Sequence, residues 1–499
     1  MQCVVPDNLP KLWQETSPEV ADALLRLVEK SAAPLYLVGG TVRDWLLGKR
    51  SGDIDVATPC SALALAKMFR DELGGGAIVD LSGPDDEAVR VVWRGEQVDF
   101  ATFREKTATI EEDLRRRDFT INAMAVPLSA LAGGGQPPQV LDPTGGLSDL
   151  RDGLIQSCPG AFFADPVRML RGYRLRAVLG FSLAPATRTE VRQQAFRITG
   201  VAAERSSYEL RLIFSSPRTS EVVRGMAEDG LLAVLLPELY LGAGVVQPEF
   251  HHLDVLGHSF LTLAMMEEIL ADPRRFYPGR LAEITEYLQE DDCRPCLKWA
   301  ALLHDVGKPV TGIRQPGDGG RLTFYRHDEE GNRIFRDFAM RNRWSNADAE
   351  RTGRLIAMHM HPFHLCNVAR EVPLTRRAAL KLCQRAGAEL PGLFLLAMAD
   401  SLASKGEKKP ERMEAELAEL YDTVHKVYKD YIQPVLLAPR LLTGKDLIEE
   451  FALVPGPLFA TLLDELDVAR VEGTVFDRPA ALAFVAAYLQ GRGQARSSS

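Results

Sequence analysis

LYLVGGTVRDWLLGKRSGDID, residues 35–55, decides how this chain is read. A β-type run from Leu35 to Val38 meets Gly39 and Gly40, a short helix-like stretch follows, and Asp53 and Asp55 then stand two apart. Adjacent glycines after a strand let the backbone approach a ligand and aim unpaired N–H groups at it, which suits a triphosphate. Residues i and i+2 of a strand share a face, so Asp53 and Asp55 can hold a common pair of divalent ions. A phosphate cradle beside a carboxylate pair is a site for phosphoryl transfer from a nucleotide. Alone, the segment also fits a surface turn followed by a solvated acidic loop.

Working outward, the chain has 499 residues, room for three or four domains. Its composition is that of a globular protein, 46% hydrophobic and 25% charged, with mean hydropathy −0.09. No apolar stretch reads as the roughly 20 residues needed to span a bilayer. The opening MQCVVPDNLPKLWQE lacks the basic and apolar regions of a signal peptide. Seven scattered cysteines, with only Cys293 and Cys296 in CxxC spacing, give a weak zinc or redox signal, so the expected compartment is the reducing cytoplasm. A net charge of −9 argues against indiscriminate nucleic-acid binding. Residues 151–218 run the other way: eleven arginines, no lysine and five acids, a net +6, which points to a local phosphate-binding surface.

Residues 1–34 read as a helical lead-in. YLVGG, AIVDL, AVRVVWRG and QVDFATF read as strands and SALALAKMFRDEL as a helix. LAGGGQPPQ (131–139) and PGDGG (316–320) read as loops, SKGEKKPER (404–412) as a solvated basic connection, and QGRGQARSSS as a disordered tail. From residue 150 onward amphipathic helices dominate. The expected fold class is α+β: a small α/β head over 30–150, a helical neck over 151–240, a metal-binding helical domain over 250–403 and a C-terminal helical region over 404–490.

EEDLRRRDFTINAMAV (111–126) sets Arg115, Arg116 and Arg117 before Asp118, with Asn122 four residues later and on the same face if the segment is a helix. Guanidinium forks there suit phosphates, while Asp118 and Asn122 suit ribose hydroxyls. LDPTGGLSDLRDGLI (141–155) and ADPVRMLRGYR (164–174) follow, the latter repeating Arg168, Arg171 and Arg174 every three residues. With these motifs in order, and AAERSSYEL after them, the chain resembles the class II tRNA nucleotidyltransferases and bacterial poly(A) polymerases over residues 35–215.

The resemblance implies that Gly39, Gly40 and Arg43 contact the triphosphate of CTP or ATP and that Asp53 and Asp55 hold catalytic Mg2+. It implies that Arg117 and Asp118 hold phosphate and sugar, and that Asp165 and Arg168 read the Watson–Crick edge of the incoming base, with Arg171 and Arg174 supporting the phosphates. An Asp accepting from an exocyclic amine and an Arg donating to a ring acceptor can select C or A over U and G. Asp99 in QVDFATF is either an auxiliary carboxylate or a hydrogen-bonded structural one.

Two departures matter. The family writes Glu-Asp at the base template, whereas this chain has Ala164. Between FATFR and RRD there is only EKTATIEEDLRR, shorter than the loop associated with switching from CTP to ATP in full CCA-adding relatives. The short loop resembles the CC-adding branch, with complete CCA addition to the tRNA 3′ end as the second option. Poly(A) polymerase is the further rival.

WAALLHDVGKP (299–309) sets His304 beside Asp305. His258, His327, His359 or His361, and Asp400 are the other candidate ligands, and imidazoles with carboxylates suit a divalent metal such as Mg2+, Mn2+ or Ni2+. The order H…HD…H…H…D resembles the HD-type phosphohydrolases, which implies phosphatase or 2′,3′-cyclic phosphodiesterase action. A rival of another class is an HD phosphohydrolase whose head only binds RNA. Membrane association is not expected, and nothing in the sequence fixes the oligomeric state.

Overall fold

A computed structural model describes residues 8–31, 33–83, 87–131, 138–314 and 322–497. The chain divides into two compact units, residues 1–236 and 237–499.

The first unit is built on a six-stranded sheet ordered β3-β4-β5-β2-β1-β6. Its strands are β1 (Tyr36–Val38), β2 (Ile54–Thr58), β3 (Ala77–Asp80), β4 (Ala88–Trp93), β5 (Glu96–Thr102) and β6 (Ala125–Pro127). Only β2 and β5 run parallel, and their register sets Asp55 opposite Asp99. The glycine pair opens helix α1 (Gly39–Leu46), which returns the chain to β2. Helix α2 (Ala62–Glu72), capped by the Ser61 hydroxyl, buries Leu65 and Phe69, the latter 5.4 Å from Phe100 of β5. The alternation of β4 follows its pattern: Val89 and Val91 are buried, while Arg90 between them faces the other side of the sheet.

Helix α3 (Ile110–Arg115) ends before the RRD motif is complete, and Thr120–Asn122 form a 3-10 turn. The helical face expected for Asp118 and Asn122 is therefore replaced by a turn, which still brings Asn122 Nδ2 to 3.1 Å from Asp118 Oδ1. Helices α4 (Val167–Leu179) and α5 (Ala203–Ser215) pack together and carry the arginine-rich segment.

The second unit is helical apart from a two-stranded pairing of Ile313–Arg314 with Leu322–Thr323. Helices α6 (Val255–Ala271), α7 (Cys293–Leu303), α8 (His327–Arg341), α9 (Asn346–Met358) and α10 (Leu390–Ala403) carry, along them or at their ends, the candidate metal ligands of this unit. Helix α10 is apolar almost all round and packs against both α6 and α7. The stretch Arg376–Ala403 is long and apolar enough to cross a membrane, but 83% of its most apolar window is buried inside the fold and the 3-10 turn at Gly387 (φ +57°) interrupts it, the pattern of a core element. Cys293 and Cys296 are buried along α7, where burial pushes both thiols up, to about 11 and about 12, so the CxxC acts as core.

Residues 404–412 are less solvated than expected. Gly406 N donates to Phe250 O at 2.9 Å, and Lys409 ion-pairs with Glu414. Of the expected tail, residues up to Ser497 continue a helix rather than disorder. The expected loops at 131–139 and 316–320 fall largely or wholly outside the described residues.

Candidate active sites

In the head, β1 delivers Gly39 at φ +68°, a conformation that L side chains rarely adopt. A Cβ at Gly39 would lie 3.1 Å from Asp55 Oδ2 and 3.2 Å from Arg117 NH1, so glycine is required on both counts. Thr41 locks the turn to the carboxylate strand: its hydroxyl donates to Asp53 O at 3.1 Å and accepts from Asp55 N at 2.8 Å. Asp53 stands one residue before β2 and Asp55 within it.

A cavity of about 300 Å³ lies against this turn. Gly39, Gly40, Arg43, Asp55, Arg117, Asp118, Asn122, Arg168, Arg171 and Arg174 all line it, together with Asp99 and Arg104. Arg43 NH1 donates to Asn122 Oδ1 at 2.7 Å. Arg117 is buried and forks onto Asp113 Oδ2 at 3.0 and 3.1 Å. Asp118 is buried too. Burial alone would raise its pKa, but Arg171 at 3.0 Å and the Asn122 amide hold it well below the usual carboxylate range. Arg171 and Arg174 converge on buried Glu209 at 3.4 and 3.1 Å, which fixes their guanidiniums along the wall.

Two predicted residues do not line the cavity. Asp53 sits beside it, its Oδ2 3.1 Å from Arg90 NH2. Asp165 is held at 2.7 Å by Arg205 of α5. Sequence reading missed Arg90, Asp113 and Glu209. Asp113 was visible four residues before Arg117 on a helix, whereas Arg90 and Glu209 reach the site through tertiary packing that no local spacing encodes.

Asp55 carries the cost of this crowding. Burial pushes its carboxyl up to about 6, with Asp99 and Asp53 adding to the rise and Arg117 and Arg43 opposing it. Such a carboxyl fits a cationic ligand. Because its folded pKa lies above its unfolded value, the penalty is absent below about pH 4, grows through about pH 6 and is full above that. Asp55→Asn should therefore stabilise the metal-free protein at about pH 7.5 by on the order of 1–2 kcal/mol, the wetted cavity side trimming the full shift. Melting in EDTA at that pH and at about pH 4.5 checks this: the gain should fall to about a third in acid, and an equal gain at both would refute the assignment.

The second site gathers six side chains from five helices and their ends. His258 Nε2 lies 3.2 Å from His304 Nε2, 3.0 Å from Asp400 Oδ1 and 3.6 Å from Asp305 Oδ2. On the other side of Asp305, its Oδ1 lies 3.4 Å from His327 Nε2 and 3.7 Å from His359 Nε2, and those nitrogens are 3.1 Å apart. Asp305 is thus shared by two triads, His258–His304–Asp305 and Asp305–His327–His359. His361 is not among them, since its Nε2 faces Arg385 at 2.7 Å.

The tautomers follow from the backbone. Nδ1 of His304, His327 and His359 meets the carbonyls of Ala301, Phe324 and Ile356 at 3.0, 2.7 and 2.7 Å, so each donates there and leaves an Nε2 lone pair facing inward. Lone pairs facing each other at such distances repel unless a cation lies between them. Metal–nitrogen bonds of about 2.1 Å place neighbouring ligands about 3.0–3.4 Å apart, which the spacing matches. Burial works against the Asp305 carboxylate, and the Lys308 ammonium, 2.6 Å from its Oδ2, opposes that and favours the ionised form. Beside the centre opens a cavity of about 490 Å³, walled by Phe250, Phe324, Tyr325 and Phe363 and edged by Lys308, Arg326, Arg370 and Lys409.

A mixed sheet presenting a glycine turn and Asp55 to an arginine-lined cavity, with Asp53 beside it, is the arrangement of a nucleotidyltransferase head. Family models agree segment by segment: the Poly A polymerase head domain matches residues 35–156, the probable RNA and SrmB-binding site of polymerase A matches 180–241, and the HD domain matches 255–403. An A-adding tRNA nucleotidyltransferase of Deinococcus radiodurans is 34% identical, covering 90% of this chain and 94% of its own. A CC-adding tRNA nucleotidyltransferase of Thermus thermophilus is 32% identical, covering 92% and 94%. The structure of a CCA-adding enzyme with ATP shares the fold at TM-score 0.63 and 21% identity, covering 96% of each chain. The chain belongs to the tRNA nucleotidyltransferase family, with an HD domain in its second unit.

Proposed function

We propose that this chain adds C residues to the 3′ end of tRNA, using CTP, and that its HD domain hydrolyses phosphate esters. The observation that carries the base choice is the connection between β5 and α3. Only residues 103–109 join them, and they are pinned. Arg104 is held by Asp113 through its backbone N at 2.9 Å and its guanidinium at 3.1 Å, Glu105 by Arg116 at 2.8 Å, and Thr109 caps α3. Glu105 and Lys106 both have positive φ, so the link is a tight corner with no slack for a switching loop.

In this reading Asp53 and Asp55 would hold Mg2+, which would supply Lewis acidity for in-line attack of an RNA 3′-hydroxyl on the α-phosphorus with pyrophosphate leaving. Gly39, Gly40 and Arg43 seat the triphosphate, Arg171 and Arg174 steady the departing pyrophosphate, and Asp118 with Asn122 receives the ribose. Arg168 and Asp165 select the base; with Ala164 in place of an acid, Arg205 is the partner left to orient Asp165. In the HD domain, His258, His304, Asp305, His327, His359 and Asp400 would hold two divalent ions that supply a nucleophile from water. Lys308 and Arg370 line the neighbouring cavity, where they can receive a phosphate.

The similarity to the A-adding relative favours a second reading, addition of the terminal A alone. Purified protein offered tRNA lacking its 3′ end, with CTP, ATP or both, separates them. Two C residues and no A are expected. Addition of A to tRNA already ending in CC would overturn the CC-adding reading, pointing to complete CCA addition if C is also added and to addition of A alone if it is not, and long oligo(A) on unrelated RNA would point to a poly(A) polymerase.

A further inference from the structure

Arg90 brings a cation into the carboxylate cluster from a strand that carries no recognised motif. In the antiparallel β4–β5 register it stands opposite Asp99, which in turn stands opposite Asp55. Its guanidinium forks onto Asp99, Nε to Oδ1 at 2.7 Å and NH2 to Oδ2 at 2.8 Å, and the same NH2 reaches Asp53 Oδ2 at 3.1 Å. A bidentate Arg–carboxylate pair is the strong, orienting form of this interaction. Asp99 therefore has both oxygens engaged by Arg90, and Asp53 has one.

We propose that Arg90 is a resident counter-cation of the catalytic carboxylates, a positioning residue that withholds Asp99 from the metal and competes with it for Asp53. The inference rests on the reading of Asp53 and Asp55 as metal ligands. A unit positive charge a few ångströms from a divalent ion opposes its binding by about tenfold or more, even at a high effective dielectric. A nucleoside triphosphate reverses the balance, because it brings negative charge and oxygen ligands of its own. The consequence is an order of events: the free head binds divalent metal weakly, and metal and nucleotide enter together. Idle metal in the absence of a triphosphate is avoided without losing the carboxylates that turnover needs.

The test uses the full chain carrying His304→Ala and Asp305→Asn, so that the HD centre contributes no metal site, and follows Mn2+ binding by electron paramagnetic resonance of the free ion. Arg90→Met removes the charge but keeps most of the side-chain stem. Without nucleotide it should bind Mn2+ about tenfold more tightly than its parent, and with a non-hydrolysable CTP analogue the difference should shrink to about twofold or less. Arg90→Lys, which keeps the charge, should stay with the parent. Unchanged or weaker Mn2+ binding by a folded Arg90→Met protein overturns the inference. Asp53→Ala in the same background keeps the two readings apart. If it leaves Mn2+ binding intact, the ligand assignment fails. An Asp53-dependent site indifferent to Arg90→Met defeats only the role given to Arg90.

Discussion

Asp53→Ala and Asp55→Ala should each lower CTP incorporation into tRNA by more than about 10³-fold while hydrolysis in the HD domain stays within about twofold of the parent. The size follows from what the pair holds. One preorganised donor at a developing charge is worth about 10²–10³ in rate, and a carboxylate that anchors a divalent ion controls both the attacking and the departing oxygen. Neither change should unfold the head. Asp53 keeps 43% of its side-chain surface exposed and makes its side-chain ion pair with Arg90, whose stronger partner Asp99 remains. Asp55 is a carboxylate its surroundings already disfavour. The seat for the triphosphate survives, so binding of a CTP analogue should persist at reduced affinity. Incorporation of labelled CTP into tRNA lacking its 3′ end measures the loss. Activity above about one-tenth of the parent would remove Asp53 and Asp55 from the chemistry.

Those residues were readable in advance because their geometry is local. A glycine pair after a strand and two acids at strand spacing are short-range patterns, and β1, α1 and β2 place them with a single hydroxyl, Thr41, as the tie. Reading by periodicity failed where the chain changes geometry within a motif. LRRRDFTIN looks helical throughout, yet α3 stops at Arg115, and Asp118 meets Asn122 through a 3-10 turn instead. It also failed where partners arrive from another strand or helix. Arg90 is one arginine in an ordinary alternating strand until the β4–β5 register sets it against Asp99. Glu209 lies 38 residues from Arg171 and was legible only as the last acid of a helix motif. The candidate ligands of the HD domain fall between these cases. Their residue types and order gave the set, but only the fold distinguishes His359 from His361, two residues apart at the end of α9 and the start of the next helix.

Asp305→Ala should do the reverse of Asp53→Ala, abolishing hydrolysis in the HD domain and emptying its metal centre while CTP incorporation stays within about twofold of the parent. Asp305 is the one residue common to both triads, with Oδ2 toward His258 and His304 and Oδ1 toward His327 and His359. In the proposed centre its removal would take the ligand shared by both triads, whereas loss of a single histidine would thin one triad. It also leaves Lys308, bonded to Asp305 Oδ2 at 2.6 Å and to Gln247 at 2.7 Å, as a buried cation with one neutral partner. An uncompensated buried charge costs about 3–5 kcal/mol, so Asp305→Asn, which keeps the shape and one acceptor, separates loss of chemistry from loss of fold. Metal content by mass spectrometry and hydrolysis of a 2′,3′-cyclic nucleotide should fall together in both variants, by more than about 10³-fold for the rate. If Asp305→Asn keeps its metal and its hydrolysis, the shared-ligand centre is wrong. If incorporation falls in step with hydrolysis, the two activities are not independent, and the assignment of separate sites to the head and the HD domain fails with them.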